Sequence, residues 1–138
     1  MLTLTTRAAV EAAINDTTLD PRLRALFASR VRQLEDDTEP GVELGDLAHF
    51  HAVEPGDDIP AVNAALGFPV DANLVDGGRF GHPDFTPSWE SIERHGCGWF
   101  EAVFVLSDSG FGQILFVPDT HGIDPCLLAL CRDHLTPA

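Results

Sequence analysis

Two apolar stretches separated by a short polar turn constrain the fold of this chain more than any other feature. Residues 99–106 and 111–117 are rich in aromatic and β-branched side chains, and the four residues between them, SDSG, are typical of a turn. The pattern predicts a β-hairpin. Both alternating faces of 99–106 carry apolar residues, so we expect the hairpin to be covered on both sides and to form the centre of a sheet.

Helix start and stop residues recur along the rest of the chain. Asp20-Pro21 precedes an apolar i, i+4 repeat, and Asp124-Pro125 stands before an apolar run. Asp58 and Gly67 bracket a third segment in the same way. Together with weaker signals, these patterns predict helices at about 6–14, 20–35, 58–66, 87–95 and 124–134, a strand at 47–54 and a short strand at 72–75. We therefore expect one α+β domain over residues 1–138, with an antiparallel sheet built on the hairpin.

The helix predicted at 87–95 depends on its end signals. Thr86-Pro87 is a suitable cap, Gly96 a suitable terminator, and Trp89 and Ile92 have the spacing of an inward helix face. A strand is the other reading of this segment.

The charge is strongly negative and unevenly distributed. The chain has a formal net charge of −14, from 22 acidic residues against 8 basic ones, all of them arginine. Residues 33–78 contain eleven acids and no arginine. Such a field repels nucleic-acid phosphates, so direct nucleic-acid binding is not expected. The acidic segment instead predicts a surface for a basic protein partner, although a merely solvated surface would have the same composition. The arginines of the 20–35 helix are expected to face solvent or to pair with this segment.

A His-x-His pair is the sharpest chemical signal. His49 and His51 lie two residues apart on a predicted strand, which places both imidazoles on one face, as in metal sites carried by strands. Further ligands would have to come from a set that the sequence cannot bring together: His82, His95, Asp119 and His121. Two exposed or hydrogen-bonded histidines explain the pair equally well.

A second group of polar residues follows the 58–66 helix and the hairpin. Imidazoles near carboxylates titrate close to neutrality and can act as acid and base. The same residue types are also ordinary in turns. The candidate binding residues of this group are Asp76, Arg79, His82, Asp84, Asp119 and His121.

The sequence also bears on the cellular compartment and on assembly into oligomers. There is no apolar run of membrane-spanning length, no secretory signal pattern at the N-terminus and no C-x-x-C among three cysteines. These features predict a cytoplasmic protein without membrane attachment. Trp99, Phe80 and Phe85 would provide an apolar patch for a homo-oligomer if they were exposed.

Three segments carry a resemblance to a known group of proteins: GDLAHFHAVEPG (45–56), DFTPSWE (84–90) and GWFEAVFVLSDSGFG (98–112). Over about 41–131 the chain resembles a family of small acidic bacterial proteins, often plasmid-borne, with no assigned activity. The resemblance implies a bacterial cytoplasm and an accessory role on mobile elements, and it supplies no catalytic residue.

The expected function is therefore a non-enzymatic binding or regulatory protein that uses the acidic surface of residues 33–78 and needs no cofactor. The alternative is a small metal-dependent enzyme centred on His49 and His51, with Zn²⁺ or another divalent metal.

Overall fold

Helices lie mainly in the first half of the chain and strands mainly in the second half of the computed structural model. The structure describes residues 1–72, 74–75, 79–80, 87–106, 110–119 and 122–128, with the backbone alone at 74–75 and 79–80. The elements are β1 (Leu2–Leu4), α1 (Arg7–Ile14), α2 (Pro21–Asp36), α3 (Leu44–Leu47), β2 (Ala48–Ala52), α4 (Ile59–Leu66), β3 (Leu74–Val75), β4 (Arg79–Phe80), β5 (Trp89–His95), β6 (Trp99–Val105) and β7 (Gly112–Pro118). The α+β class is confirmed.

The main sheet has five strands in the order β1-β2-β7-β6-β5. β6 and β7 are antiparallel, from Trp99 opposite Pro118 to Val105 opposite Gly112, which confirms the predicted hairpin. The expectation of an antiparallel sheet is wrong at one place, because β2 lies parallel to β7. A parallel neighbour needs a long crossover, and the chain between β2 and β7 provides it.

Both faces of the sheet are buried, as the apolar pattern of the hairpin predicts. On one face, α1, α2 and α3 cover a cluster that includes three buried phenylalanines. The ring centroid of Phe27 lies 5.0 Å from that of Phe116 and 6.0 Å from that of Phe50, in edge contacts. On the other face, α4 and residues 123–128 cover Phe100 and Phe104. A fully buried phenylalanine contributes about 2 to 3 kcal/mol of transfer free energy, so the two clusters are the main source of stability.

The start of α2 is fixed by Asp20. Its Oδ1 accepts a hydrogen bond from the backbone N–H of Arg22 at 2.9 Å, and its Oδ2 accepts one from Trp99 Nε1 at 3.2 Å. The guanidinium of Arg22 holds the pKa of Asp20 at about 2, with the Arg22 and Trp99 N–H groups adding to the effect and partial burial opposing it. Trp99 is 9% exposed, so its expected place in an exposed apolar patch is wrong.

Three of the other predicted helices, those at 6–14, 58–66 and 124–134, agree with the structure where it describes them. α1 is capped by Thr6, and α4 begins after Asp58 and ends at Gly67, whose φ of +77° favours glycine. Residues 125–128 are helical, and Asp124 Oδ1 accepts from the Cys126 N–H at 2.8 Å; the remainder of the helix predicted at 124–134 lies outside the described residues. Within the described ranges, no helix has the length and apolar character needed to cross a membrane.

The helix predicted at 87–95 is wrong, since this segment forms β5. It pairs with β6 over its full length, from Trp89 opposite Val105 to His95 opposite Trp99. Trp89 is 55% exposed and Ile92 is buried, so the two residues do not share an inward helix face. Gly96 belongs to the turn between the strands and does not end a helix.

Three short elements, β1, α3 and β4, were not expected from the sequence. β1 adds an antiparallel edge strand to β2, and α3 takes up Leu47, so the strand predicted at 47–54 is confined to Ala48–Ala52. Gly45 in α3 allows a close approach to the segment between β1 and α1, because a Cβ there would clash with the carbonyl oxygen of Thr5. The strand predicted at 72–75 appears as β3.

Candidate functional site

Six acidic side chains lie in one segment at the end of α2, residues 35–46, which we call the acidic turn. All six are exposed: Glu35, Asp36, Asp37, Glu39, Glu43 and Asp46. Arg7, at the start of α1, contacts this segment through an ion pair with Glu35 and through its backbone N–H, which donates to Glu43 Oε1 at 3.2 Å. Among the residues that the structure describes, the other four acids form no ion pair.

The acidic turn opposes the dipole of α2. The C-terminal end of a helix carries a partial negative charge, which favours cations in the last turn. α2 has no basic residue there and instead ends with Asp36, followed by Asp37 at its C-cap. Each misplaced acid costs about 0.3 to 1 kcal/mol of stability. The helix end and the carboxylates together therefore produce a concentrated negative potential.

The remaining described acids of the predicted 33–78 surface lie elsewhere. Glu54, Asp57, Asp58 and Asp71 follow β2, whereas the acidic turn precedes it, and the five strand residues separate the two groups by about 16 Å. Asp58 accepts the Ala61 N–H at 2.8 Å and Asp57 accepts the Glu54 N–H at 2.8 Å. Asp57 and Asp58 stabilise local structure, and the N-terminal amine lies 3.5 Å from Glu54 and 3.3 Å from Asp57. The predicted surface is therefore divided into the acidic turn and a separate group of acids after β2.

His49 and His51 share one face of β2, as their spacing predicts. Their ring centroids are 6.5 Å apart. His51 is only 1% exposed. His49 is half-buried, and its ring centroid lies 4.9 Å from that of Phe111 in an edge contact. The two imidazoles therefore occupy different environments although they lie side by side.

Both ring nitrogens of His51 are hydrogen-bonded, in an arrangement with Thr3 and Gln113 that we call the histidine bridge. Gln113 Nε2 donates to the carbonyl of Leu66 at 3.1 Å, so its Oε1 is the atom that accepts from His51 Nε2 at 2.5 Å. His51 Nδ1 then accepts from the Thr3 hydroxyl at 3.2 Å. These contacts assign the neutral imidazole with its proton on Nε2.

The pKa of His51 agrees with that assignment. Burial lowers it below the ordinary value of 6.5; the Gln113 hydrogen bond opposes this shift and the nearby His49 adds to it. A metal ion at His51 would have to replace one of its two hydrogen bonds. The geometry thus supports His51 as a structural bridge between β1, β2 and β7 more than as a ligand.

A charged group lies on the opposite face of the sheet, at the β5 edge. We call it the edge cluster: Arg30, Glu93, His95 and Glu101. Glu101 is 4% exposed; its Oε2 accepts from Arg30 Nε at 2.8 Å and its Oε1 lies 3.0 Å from His95 Nε2. Glu93 is exposed and stands directly opposite Glu101 in the strand register. One ligand atom from each of Glu93, His95 and Glu101 lies within 4.8 Å of the others.

Sequence reasoning missed this cluster because it placed Glu93 and His95 on a helix. Two residues apart on a helix, their side chains would diverge by about 200°. On a strand they share a face, and period 2 is the signal that could have found them. The expectation that Arg30 faces solvent or pairs with the acidic segment is also wrong, since it pairs with Glu101.

The second predicted binding group cannot be assembled from the described residues. Asp76, His82, Asp84 and His121 lie outside them, and Arg79 is described by its backbone in β4. Asp119 is half-buried just after β7, where its N–H donates to the Gly98 carbonyl at 2.7 Å. The grouping of these six residues stays a prediction.

Comparison of the chain with protein-family models, with curated proteins and with solved structures finds no match in any of the three. The resemblance to small acidic bacterial proteins therefore stays a prediction.

Proposed function

We propose that this chain is a non-enzymatic binding protein that takes a basic segment of a partner protein on its acidic turn, in the bacterial cytoplasm that the sequence resemblance implies. One observation carries the proposal: exposed carboxylates stand at the end of α2, where they oppose the helix dipole. Residues that break a local stability rule are the ones expected to serve a function.

The chemistry of the turn suits lysine and arginine side chains. Their charges would neutralise both the carboxylates and the helix end, and their aliphatic stems can pack on apolar surface. Val42 offers such surface, because it lies in the middle of the turn and is 41% exposed. Long-range attraction by the net charge of −14 would speed the encounter with a basic partner.

The test compares two variants with the same change in charge. Asp36→Asn/Asp37→Asn alters the acidic turn, whereas Asp16→Asn/Glu54→Gln removes two charges elsewhere. Asp16 stands before α2, about 24 Å from the turn at 1.5 Å per helical residue. Asparagine can keep the acceptor role of Asp16, whose Oδ1 binds the Thr18 N–H at 2.9 Å.

The probe is a fluorescein-labelled peptide of eight arginines alternating with serines, measured by fluorescence anisotropy at low and physiological salt. We expect the turn variant to weaken the Kd about five- to tenfold, and the control less than twofold. Affinity should fall with salt in all proteins. Equal weakening by both variants would show that only the overall charge matters and would overturn the proposal, as would no weakening by either.

The stability of the turn variant separates lost binding from lost folding. Removing two acids from the end of α2 should raise the free energy of unfolding, by about 0.3 to 1 kcal/mol for each. A variant that binds less while folding more stably supports the proposal, and urea denaturation measures the second quantity.

The alternative, a metal-dependent enzyme at His49 and His51, has less support. The described contacts use both nitrogens of His51 within the protein.

A further inference from the structure

The edge cluster contains an arrangement that is unfavourable in a sheet by itself. Glu93 and Glu101 are directly opposite each other on antiparallel strands. Like charges in this position destabilise a strand pair, whereas a cation between them would reverse the sign of the interaction. The register therefore points to a positive ligand between the two carboxylates.

Two of the donor atoms are hydrogen-bonded to each other, at a distance that also suits two ligands of one metal ion. His95 Nε2 and Glu101 Oε1 are 3.0 Å apart. Two donors that bind one ion at about 2.1 Å lie about 3.0 Å apart at the right angles of an octahedral site and about 3.4 Å apart at the tetrahedral angles typical of Zn²⁺. The Glu93 carboxylate is within 4.8 Å of both, and because it is exposed it can rotate into contact.

The buried ligand is held in a fixed orientation. Arg30 Nε binds Glu101 Oε2 and leaves Oε1 directed towards His95, and Arg30 Nη1 is itself held by Gln33 Oε1 at 2.8 Å. Outer hydrogen bonds of this kind orient ligating carboxylates in metal sites. β5 is an edge strand, so one side of the cluster is open to an entering ion and to water.

We propose that Glu93, His95 and Glu101 bind one divalent transition-metal ion. An imidazole nitrogen with two carboxylate oxygens suits ions such as Zn²⁺ and Mn²⁺ better than the all-oxygen cations Ca²⁺ and Mg²⁺. Three protein ligands leave positions for water, and the acidic turn takes no part in the site. The inference is thus independent of the proposed binding of a basic partner.

The test is equilibrium dialysis against MnCl₂ and, separately, ZnCl₂, with bound metal measured by mass spectrometry. We expect one ion per chain, with affinity at least tenfold weaker in Glu93→Gln and in His95→Gln. His49→Gln and Cys97→Ser should bind as the unaltered protein does. Cys97 is included because it lies two residues after His95 and thiols bind Zn²⁺.

Other results would overturn the assignment. Lack of stoichiometric binding of both metals at 100 µM, or loss of binding in His49→Gln or Cys97→Ser but not in Glu93→Gln, overturns the assignment. Asp36→Asn/Asp37→Asn must retain the metal; loss there would move the site to the acidic turn and overturn it as well. Glu93 is exposed, so its substitution tests the site without disturbing the fold.

Discussion

The two faces of the sheet hold histidines in opposite ways. On the α4 side, the histidine bridge joins His51 to two neutral partners, Thr3 and Gln113, and the imidazole is almost fully buried. On the α2 side, His95 contacts the carboxylate of Glu101 and lies at an open strand edge. The bridge satisfies each of its ring nitrogens with an uncharged group, whereas the edge cluster brings two like charges together.

The difference shows that spacing alone does not identify a ligand. His49 and His51 have the better sequence pattern, yet His51 has both nitrogens engaged. His95 belongs to no His-x-His pair, yet its neighbours are two carboxylates. The role of a buried or half-buried histidine is thus decided by the charge and accessibility of its partners.

Among the substitutions that test this comparison, removal of Arg30 should change the free energy of unfolding most. Arg30→Met leaves the buried Glu101 carboxylate with His95 as its remaining partner, and we expect a loss of about 2 to 4 kcal/mol in the free energy of unfolding. Urea denaturation measures it. The double variant Arg30→Met/Glu101→Leu should recover most of the loss, because it removes both charges. A loss below about 0.5 kcal/mol in the single variant would contradict the description of Glu101 as a buried charge.

The sequence predicted the centre of this fold and missed its edges for physical reasons. The hairpin was predictable because both of its faces are buried and its apolar pattern is continuous. β5 is an edge strand with Ile92 as its buried residue, so its alternation of apolar and polar residues is weak. The helix signals of this segment, Pro87, Gly96 and the three-residue spacing of Trp89 and Ile92, were therefore the stronger pattern.

The pairing of the strands could not be predicted from local sequence patterns. β2 and β7 lie side by side in parallel although the chain between them is long, and no sequence pattern fixes such a partner. The shared face of His49 and His51 was predictable from period 2, but their partners were not, since Thr3 and Gln113 come from β1 and β7. The edge cluster was hidden for two reasons: a helix was predicted in place of β5, and Arg30 and Glu101 come from α2 and β6.

Acid should destabilise the histidine bridge. The pKa of His51 is lowered by burial, so between that value and the ordinary 6.5 the unfolded chain binds a proton that the native protein does not. Stability from this residue is complete above pH 6.5 and decreases as the pH falls, by at most about 1.4 kcal/mol per pH unit. Urea denaturation at pH 7.5 and 5.5 measures the loss, which should be smaller in His51→Gln.

His49→Gln is the matched control, because it alters the neighbouring imidazole and leaves the bridge in place. An equal pH dependence in the unaltered protein and in His51→Gln would refute the explanation. NMR titration of the His51 ring in the unaltered protein gives an independent answer, and a pKa at or above 6.5 would refute it too.

Substitution of Glu93 should have the smallest effect and should change sign when metal is added. Without metal, Glu93→Gln relieves the repulsion from Glu101 and should raise the free energy of unfolding by about 0.2 to 1 kcal/mol. With Mn²⁺ at about 100 times its Kd, the unaltered protein gains about 2.7 kcal/mol, and the variant gains much less, so their order reverses. Asp16→Asn makes the same change in charge outside the cluster and should show no reversal. Glu93→Gln could instead remain the more stable protein at every Mn²⁺ concentration. That result would show that no metal ion offsets the repulsion between Glu93 and Glu101, and that the cation partner of the edge cluster is Arg30 alone.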